Sequence, residues 1–374
     1  MIGGSPKILL VRLSALGDCL HAIPSLVALR RQFPNAEIGW AIEELSYSLL
    51  KDHPMVDRFH VFPRKAFKRG SGTLMSRMRS LSAFRKELGA VGYDSAVDLQ
   101  GLAKSGLVSW WSGAKQRIGF KGADSRELNR VFTTARIEPP EEAVHVVEKN
   151  LSLLKPLGVD LPSKPEWVMP AYDAEKLALQ PFLKECGLLD ECGHVRDFAI
   201  INPGATWFTK RWPPELFGEV AKGLREKLNL PSIVTWAGAD ELAASKTIVT
   251  IGCGGAGGGN VFLAPDTDLR SLAALTAQAA LFVGNDTGPL HLAVALKINT
   301  VAIFGATDPL RNGPYGSGHR IQTGGVECHP CWKTSCERQD RACLTWVKPE
   351  TVLVSCEHSL RRRARSENGS AAAC

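Results

Sequence analysis

The chain has 374 residues, 44% hydrophobic and 22% charged, with a formal net charge of +7. That length suits two ordinary domains, each able to bury its own core, and the composition excludes a largely disordered chain. No run reaches the roughly 18–20 apolar residues of a membrane helix, and the basic excess favours an anionic partner.

The opening MIGGSPKILLVRLSALGD runs straight into Arg12 and lacks a small-residue cleavage site. It does not read as a signal peptide, so a cytoplasmic protein is expected. Residues 7–13 form a short apolar run of the buried-parallel-strand type, and HAIPSLVALRRQF follows as a helix. Then come EIGWAIEE (strand), SYSLLKDHP (helix), RFHVFP (strand), SLSAFRKELGAV (helix) and SAVDLQG (strand). After a Pro-containing stretch at 161–181 the pattern restarts. FAIINPGAT, PSIVTWAG, ALFVGNDTG and NTVAIFG read as strands, and PPELFGEVAKGLREKL, LRSLAALTAQAA and PLHLAVAL as helices. This alternation predicts α/β architecture with two Rossmann-like domains carrying parallel sheets that face a central cleft. The expected divisions are 1–175, 195–348, a C-terminal helix at 349–364 and a disordered tail at 365–374.

Four loops after predicted strands carry polar residues where open α/β sheets bind ligands. In Ser14-Ala15-Leu16-Gly17-Asp18, Gly17 lets the chain turn sharply. Asp18 then suits general-base work on an acceptor hydroxyl, with helix capping as the competing reading. His21 reads as a structural first-turn residue. Asn285-Asp286-Thr287-Gly288-Pro289-Leu290-His291 opens a helix whose free amides suit a diphosphate. There Asp286 reads equally as a brace for the loop, and His291 as a packed helix residue. Thr206 sits in Asn202-Pro203-Gly204-Ala205-Thr206, followed by Lys210 and Arg211, which can neutralise a departing diphosphate or form a solvated turn. In Gly238-Ala239-Asp240-Glu241 a carboxylate could accept from ribose hydroxyls, or cap the helix. Gly252-Cys253-Gly254-Gly255-Ala256-Gly257 spells a dinucleotide fingerprint, but it follows no strand and opens no helix, so NAD binding is not expected.

Cys328, Cys331, Cys336 and Cys343 have metal-ligand spacing. They could hold a structural zinc or an iron–sulfur cluster, or remain reduced and unligated. From 64 to 86 the chain carries Arg64, Lys65, Lys68, Arg69, Arg77, Arg79, Arg85 and Lys86 with no acidic residue. Such a segment, expected to begin as a mobile loop, calls for an anionic partner, and its two phenylalanines offer little stacking surface for nucleic acid.

Together KILLVRLSALGDCLHAIPSL, WAIEE, DLQGLAKSG, KRWPPELF, VGNDTGPLHLAVAL and VAIFGATDP resemble glycosyltransferase family nine, the ADP-heptose:lipopolysaccharide heptosyltransferases. The likeness spans nearly the whole chain and is nearer the heptosyltransferase I branch. It implies a GT-B fold and metal-independent, inverting transfer of heptose from ADP-heptose to a Kdo-lipid A acceptor. It also implies a monomer peripheral at the inner membrane, with no cofactor and no nucleic-acid partner. On that resemblance Asp18 matches the general base and Lys210 the lysine on the donor phosphate. Thr287, Gly288 and His291 match the donor-phosphate loop headed by Asp286, and Glu241 the acid near the ribose. Gln100 and Lys104 match an acceptor-side element. Ser14, Gly17, Arg64, Lys68 and Arg69 are assigned to the acceptor and Thr206 to the donor. The cysteine group and the glycine-rich insert depart from the heptosyltransferase I pattern. The alternatives are a family-nine transferase using another sugar nucleotide or glycan, and a catalytically inactive nucleotide- or polyanion-binding protein.

Overall fold

A computed structural model describes residues 5–67, 73–254 and 259–371. The chain divides into two compact units, Met1–Ala171 and Tyr172–Cys374.

In the first unit the strands are β1 (Lys7–Val11), β2 (Glu37–Glu43), β3 (Arg58–Phe62), β4 (Ser95–Asp98), β5 (Gln116–Phe120) and β6 (Ala135–Ile137). The helices are α1 (Leu16–Gln32), α2 (Glu44–Leu50), α3 (Leu74–Gly89), α4 (Ala103–Trp111) and α5 (Val146–Ser152). All the strands pair in parallel in the order β3-β2-β1-β4-β5-β6. Leu9, Val11, Ala41 and Ala96 place the central strands in a core closed by Phe62, Phe84 and Leu88. Central strands with both faces covered read as unbroken apolar runs, which is why β1 and β2 were recognisable.

The second unit holds α6 (Asp173–Glu185), β7 (Ala199–Asn202), α7 (Pro214–Leu228), β8 (Ser232–Val234), α8 (Gly238–Cys253), β9 (Val261–Leu263) and α9 (Leu269–Thr276). It continues with β10 (Leu281–Asn285), α10 (Gly288–Ala295), β11 (Thr300–Ile303), α11 (Pro309–Asn312), β12 (Arg320–Gln322), α12 (Ala342–Thr345) and α13 (Pro349–Ala371). Its order, β12-β11-β10-β7-β8-β9, repeats that of the first sheet. Both sheets have the 3-2-1-4-5-6 arrangement of dinucleotide-binding folds, with switch points at β1/β4 and β7/β10. The expected pair of Rossmann-like α/β units is therefore present.

Residues 173–185, which straddle the expected end of the first domain at 175, form α6 of the second unit. Glu175 receives a 2.5 Å hydrogen bond from Arg270 Nε of α9, and the Arg270 guanidinium lies over the Tyr172 ring. The last helix, expected to stop at 364, runs on to Ala371; an Arg361–Glu357 pair one turn apart supports its middle. The start of the basic segment, expected as a mobile loop, forms a 3-10 turn at Arg64–Phe67, while Arg77 and Arg79 lie on α3, capped by Thr73. Gly252 and Cys253 end α8 and Gly254 takes the left-handed cap position, so the glycine motif does not follow a strand.

Candidate active site

In the first unit the candidate side chains gather beyond the carboxyl ends of β1, β2 and β4. Asp18 is the third residue of α1, and its Oδ2 accepts a 3.2 Å hydrogen bond from the Ala15 amide. Ala15 is the N-cap, so Asp18 is not the N-cap the sequence suggested; as the third helical residue it reaches back to the N-cap amide. The same oxygen lies 2.8 Å from the Arg12 guanidinium, while the carboxylate side chain remains 36% exposed. Arg12 is itself buried and donates through Nη1 to the Leu99 carbonyl. It therefore ties Asp18 to the end of β4. Ser14 and Gly17 flank Asp18 and are half-buried.

Gln100 is turned inward, and its Oε1 accepts from the Leu13 amide at 2.9 Å. The turn carrying it is organised by Asp98, a buried carboxylate that accepts from the Gln100 and Gly101 amides, Ser105 Oγ and Asn129 Nδ2. Burial pushes the Asp98 carboxyl up, and these four donors pull it back. Gly101 has φ of 70°, and a Cβ there would lie 2.2 Å from the Asp124 carbonyl, so the turn requires glycine. Lys104, on the first turn of α4, donates at 2.5 Å to Glu43, the buried last residue of β2. Arg64 reaches the other Glu43 oxygen at 3.6 Å. The structure thus joins Arg64, Glu43 and Lys104 in one charged row beside the Asp18 loop, whose Leu13 carbonyl accepts from the Glu43 amide at 3.0 Å. Lys68 and Arg69 lie outside the described residues. Arg77 donates to the Ala66 carbonyl at 2.6 Å and so braces the Arg64 turn. His21 is buried, packed edge-on against His145.

In the second unit the centre is Asp286, buried just past β10. Lys210 Nζ lies 2.6 Å from Oδ2, Thr307 Oγ1 donates to the same oxygen at 2.6 Å, and His291 Nε2 lies 3.4 Å from Oδ1. Asn312 Nδ2 is 3.4 Å from both oxygens. Burial raises the Asp286 carboxyl, but the His291 hydrogen bond and the Lys210 and His291 charges outweigh it. The group is held well below the usual carboxylate range. Asp286 therefore braces the site and aims Lys210. The neighbouring Asn285 bridges the Trp212 amide and the Pro203 carbonyl. Thr287 precedes α10, whose first residue is Gly288, and its hydroxyl donates to the Asn285 carbonyl at 3.3 Å.

Glu241 stands apart from the Lys210 network. It opens α8, accepts from the Ala237 amide at 2.9 Å, and lines a groove of about 570 Å³ with Gly204, Arg211, Asp240 and Arg341. Burial pushes its carboxyl up. A Cβ on Gly204 would lie 2.4 Å from Glu241 Oε1, so a larger residue there would displace the Glu241 carboxylate from its present position. Thr206 is exposed on the turn between Gly204 and Lys210.

The four cysteines line one small pocket with His329 and Arg341. Burial pushes the Cys343 thiol up to about 11, and Cys331, Cys328 and Cys336 press in the same direction. The thiols surround the space rather than meeting at a point. Among the described residues, three metal-binding atoms lie within 4.8 Å of one another only at the exposed Asp190, Cys192 and His194.

Arg12, Glu43, Thr307 and Asn312 were not assigned from sequence. Position offered a signal for two of them: Glu43 ends a predicted strand and Arg12 lies at the end of the first. The other two become visible only when β10 and β11 pair.

Residues 81–341 match the family described as Glycosyltransferase family 9 (heptosyltransferase). A lipopolysaccharide heptosyltransferase 1 from Pseudomonas aeruginosa is 28% identical over 373 residues, covering 95% of this chain and 98% of the relative. The Escherichia coli heptosyltransferase WaaC with ADP superposes with a TM-score of 0.73 at 23% identity, covering 94% of this chain and 99% of the other. A family 9 glycosyltransferase from Veillonella parvula gives 0.79 at 22% identity, with 97% and 99% covered. The motifs at both sheet switch points and the match over most of the chain agree: this protein belongs to glycosyltransferase family 9, the heptosyltransferases.

Proposed function

We infer that the protein transfers a heptose from ADP-heptose to a Kdo-lipid A acceptor in lipopolysaccharide core synthesis, as a heptosyltransferase of type I. The observation that carries this reading is Lys210 held on buried Asp286 at the switch point of the second sheet. An ammonium has three donors, and with one on Asp286 the others can meet the donor diphosphate. Asp286 fixes the lysine before substrate arrives, which is what electrostatic stabilisation of a leaving group requires. Thr206, Thr287, Gly288 and His291 complete the phosphate side, and Glu241 takes the ribose in its groove.

Asp18 is the base. It accepts the proton of the acceptor hydroxyl as the acceptor oxygen bonds to the anomeric carbon. The bond from that carbon to the diphosphate oxygen breaks on the opposite face, and ADP departs with the electron pair. The reaction inverts the anomeric centre and needs no metal in the transfer step. Ser14, Gly17, Gln100, Lys104 and Arg64 shape the acceptor side, with Gln100 acting through the Leu13 amide. The acceptor is a lipid, which places the enzyme on the inner-membrane surface. Leu74, Met75 and Met78 of α3 are exposed beside Arg79, Arg85 and Lys86, an apolar and basic face suited to anionic headgroups. Among the described residues no helix is long and apolar enough to cross a membrane.

The test is nucleotide release from ADP-heptose and from other sugar nucleotides, with and without Kdo-lipid A. Acceptor-dependent release from ADP-heptose alone, undiminished by EDTA in the assay, is expected. Release from a different sugar nucleotide, or none with any, would overturn the reading.

A further inference from the structure

The connection between α6 and β7 carries a small hairpin. Leu188 anchors it in the core, and Leu189 and Val195 form an isolated antiparallel bridge. The Arg196 amide donates to the Leu188 carbonyl at 2.8 Å, and the Asp190 amide to the His194 carbonyl at 3.0 Å. Gly193, at φ of 82°, completes the reversal in a region that costs a side chain dearly. The tip reads Asp190-Glu191-Cys192-Gly193-His194. A carboxylate, a thiol and an imidazole therefore stand at alternate positions of one tight turn, all three exposed.

The turn fixes the carboxylate in advance. Asp190 Oδ1 accepts from the Cys192 amide at 2.9 Å and from the His194 amide at 2.8 Å. Oδ2 is left facing the ring, 3.4 Å from His194 Nδ1. One ligand atom from each of Asp190, Cys192 and His194 lies within 4.8 Å of the other two. Tetrahedral zinc, with bonds of about 2.0–2.3 Å, holds its ligand atoms about 3.3–3.8 Å apart. The Oδ2–Nδ1 pair already has that spacing, and rotation of the exposed Cys192 side chain between staggered positions brings the sulfur in. An ion pair alone accounts for Asp190 and His194 but not for a thiol at the same point.

We propose that Asp190, Cys192 and His194 form a surface site for one divalent ion of the zinc class, with His194 binding through Nδ1 and water in the fourth position. Sulfur, imidazole nitrogen and carboxylate oxygen are a borderline donor set. It suits zinc, cobalt or nickel and is poor for magnesium or calcium, which take oxygen. The thiolate is the ligand, so binding releases the Cys192 proton to solvent. The hairpin precedes the amino end of β7, whereas the candidate donor residues lie past the carboxyl ends of β7 and β10. The ion thus staples the turn, tying residue 190 to residue 194, and takes no part in transfer.

Alkylation by iodoacetamide, read by peptide mass spectrometry, follows Cys192 separately from the other cysteines of the full-length protein and needs neither donor nor acceptor. Its rate is measured first with EDTA, then across a zinc titration. Zinc should slow labelling along a saturation curve, roughly 10-fold when the free ion stands about ten times above its dissociation constant. Magnesium at the same concentrations should not. His194→Gln should move the curve to higher zinc by roughly 10-fold or more, since even an outer partner of a metal ligand is worth that much. Asp190→Asn keeps an acceptor for the two amides but loses the anionic ligand, and should move it likewise. All three side chains are exposed, so these changes leave the core intact, and the wild-type titration stands without them. Labelling of Cys192 that zinc does not slow, even where zinc protects other cysteines, would overturn the proposal. So would equal protection by magnesium. Protection undiminished in both variants would overturn it as well, by showing that the thiol takes the metal without Asp190 and His194.

Discussion

Asp286 is the structural centre of the candidate donor site. Its carboxylate is buried and takes Lys210, Thr307, His291 and Asn312, so its charge is matched rather than stranded. On the proposed reading Lys210 supplies charge in both the bound donor and the transition state. Lys210→Ala should therefore weaken ADP-heptose binding and lower kcat by roughly 10²-fold, with the acceptor KM little changed; steady-state kinetics with each substrate varied checks this. A change confined to the acceptor KM would remove Lys210 from the donor side. The motif residues were legible because each follows a strand and changes chemistry abruptly, from apolar run to Gly, Asp, Thr or His. Thr307 was not, because it lies 21 residues from Asp286 in sequence and meets it only through strand pairing. Arg12 was hidden differently: a cation at the end of an apolar strand reads as the place where the strand meets water, yet it is buried against Asp18 and Leu99.

At the scale of elements, the central strands and long helices follow from apolar runs and punctuating prolines. The edges do not. β6 and β12 have three residues each, and their exposed or half-exposed side chains give no alternation long enough to detect. α4 carries Lys104, Ser105 and Gly106 in its opening turns, so its polar beginning reads as a binding element before it reads as a helix. One element contact gives a pH prediction. His53 is buried after α2; its Nε2–H donates to the Val168 carbonyl and its Nδ1 accepts from the Met55 amide. Protonating Nδ1 would set two N–H groups against each other. Burial, outweighing the Val168 hydrogen bond, lowers its pKa from 6.5 to about 4. The folded state then binds fewer protons than the unfolded chain across that window. The His53 contribution is complete above pH 6.5 and is lost as pH falls towards 4. Denaturant melts across this range should show stability falling by up to about 1.4 kcal/mol per pH unit from this residue. His53→Gln should flatten that part of the profile. An unchanged slope would mean His53 does not titrate there.

Across the whole molecule, both units use the same strand order, and each carries its candidate site residues at its own switch point. The duplication was legible because the strand–helix pattern restarts after the 161–181 stretch. The cysteine loop was visible as a motif, but its hydrogen bonds to the Thr209 hydroxyl and the Ala306 carbonyl, beside Lys210 and Thr307, are marked by no sequence pattern. On this account the labour is divided: the first unit supplies the base and the second binds the nucleotide. The most direct test compares Asp18→Asn with wild type in two measurements on one preparation, kcat for heptose transfer and calorimetric affinity for ADP. The account predicts kcat lower by roughly 10²-fold or more with ADP affinity unchanged. Retained turnover, or a loss of turnover matched by an equal loss of ADP affinity, would contradict it.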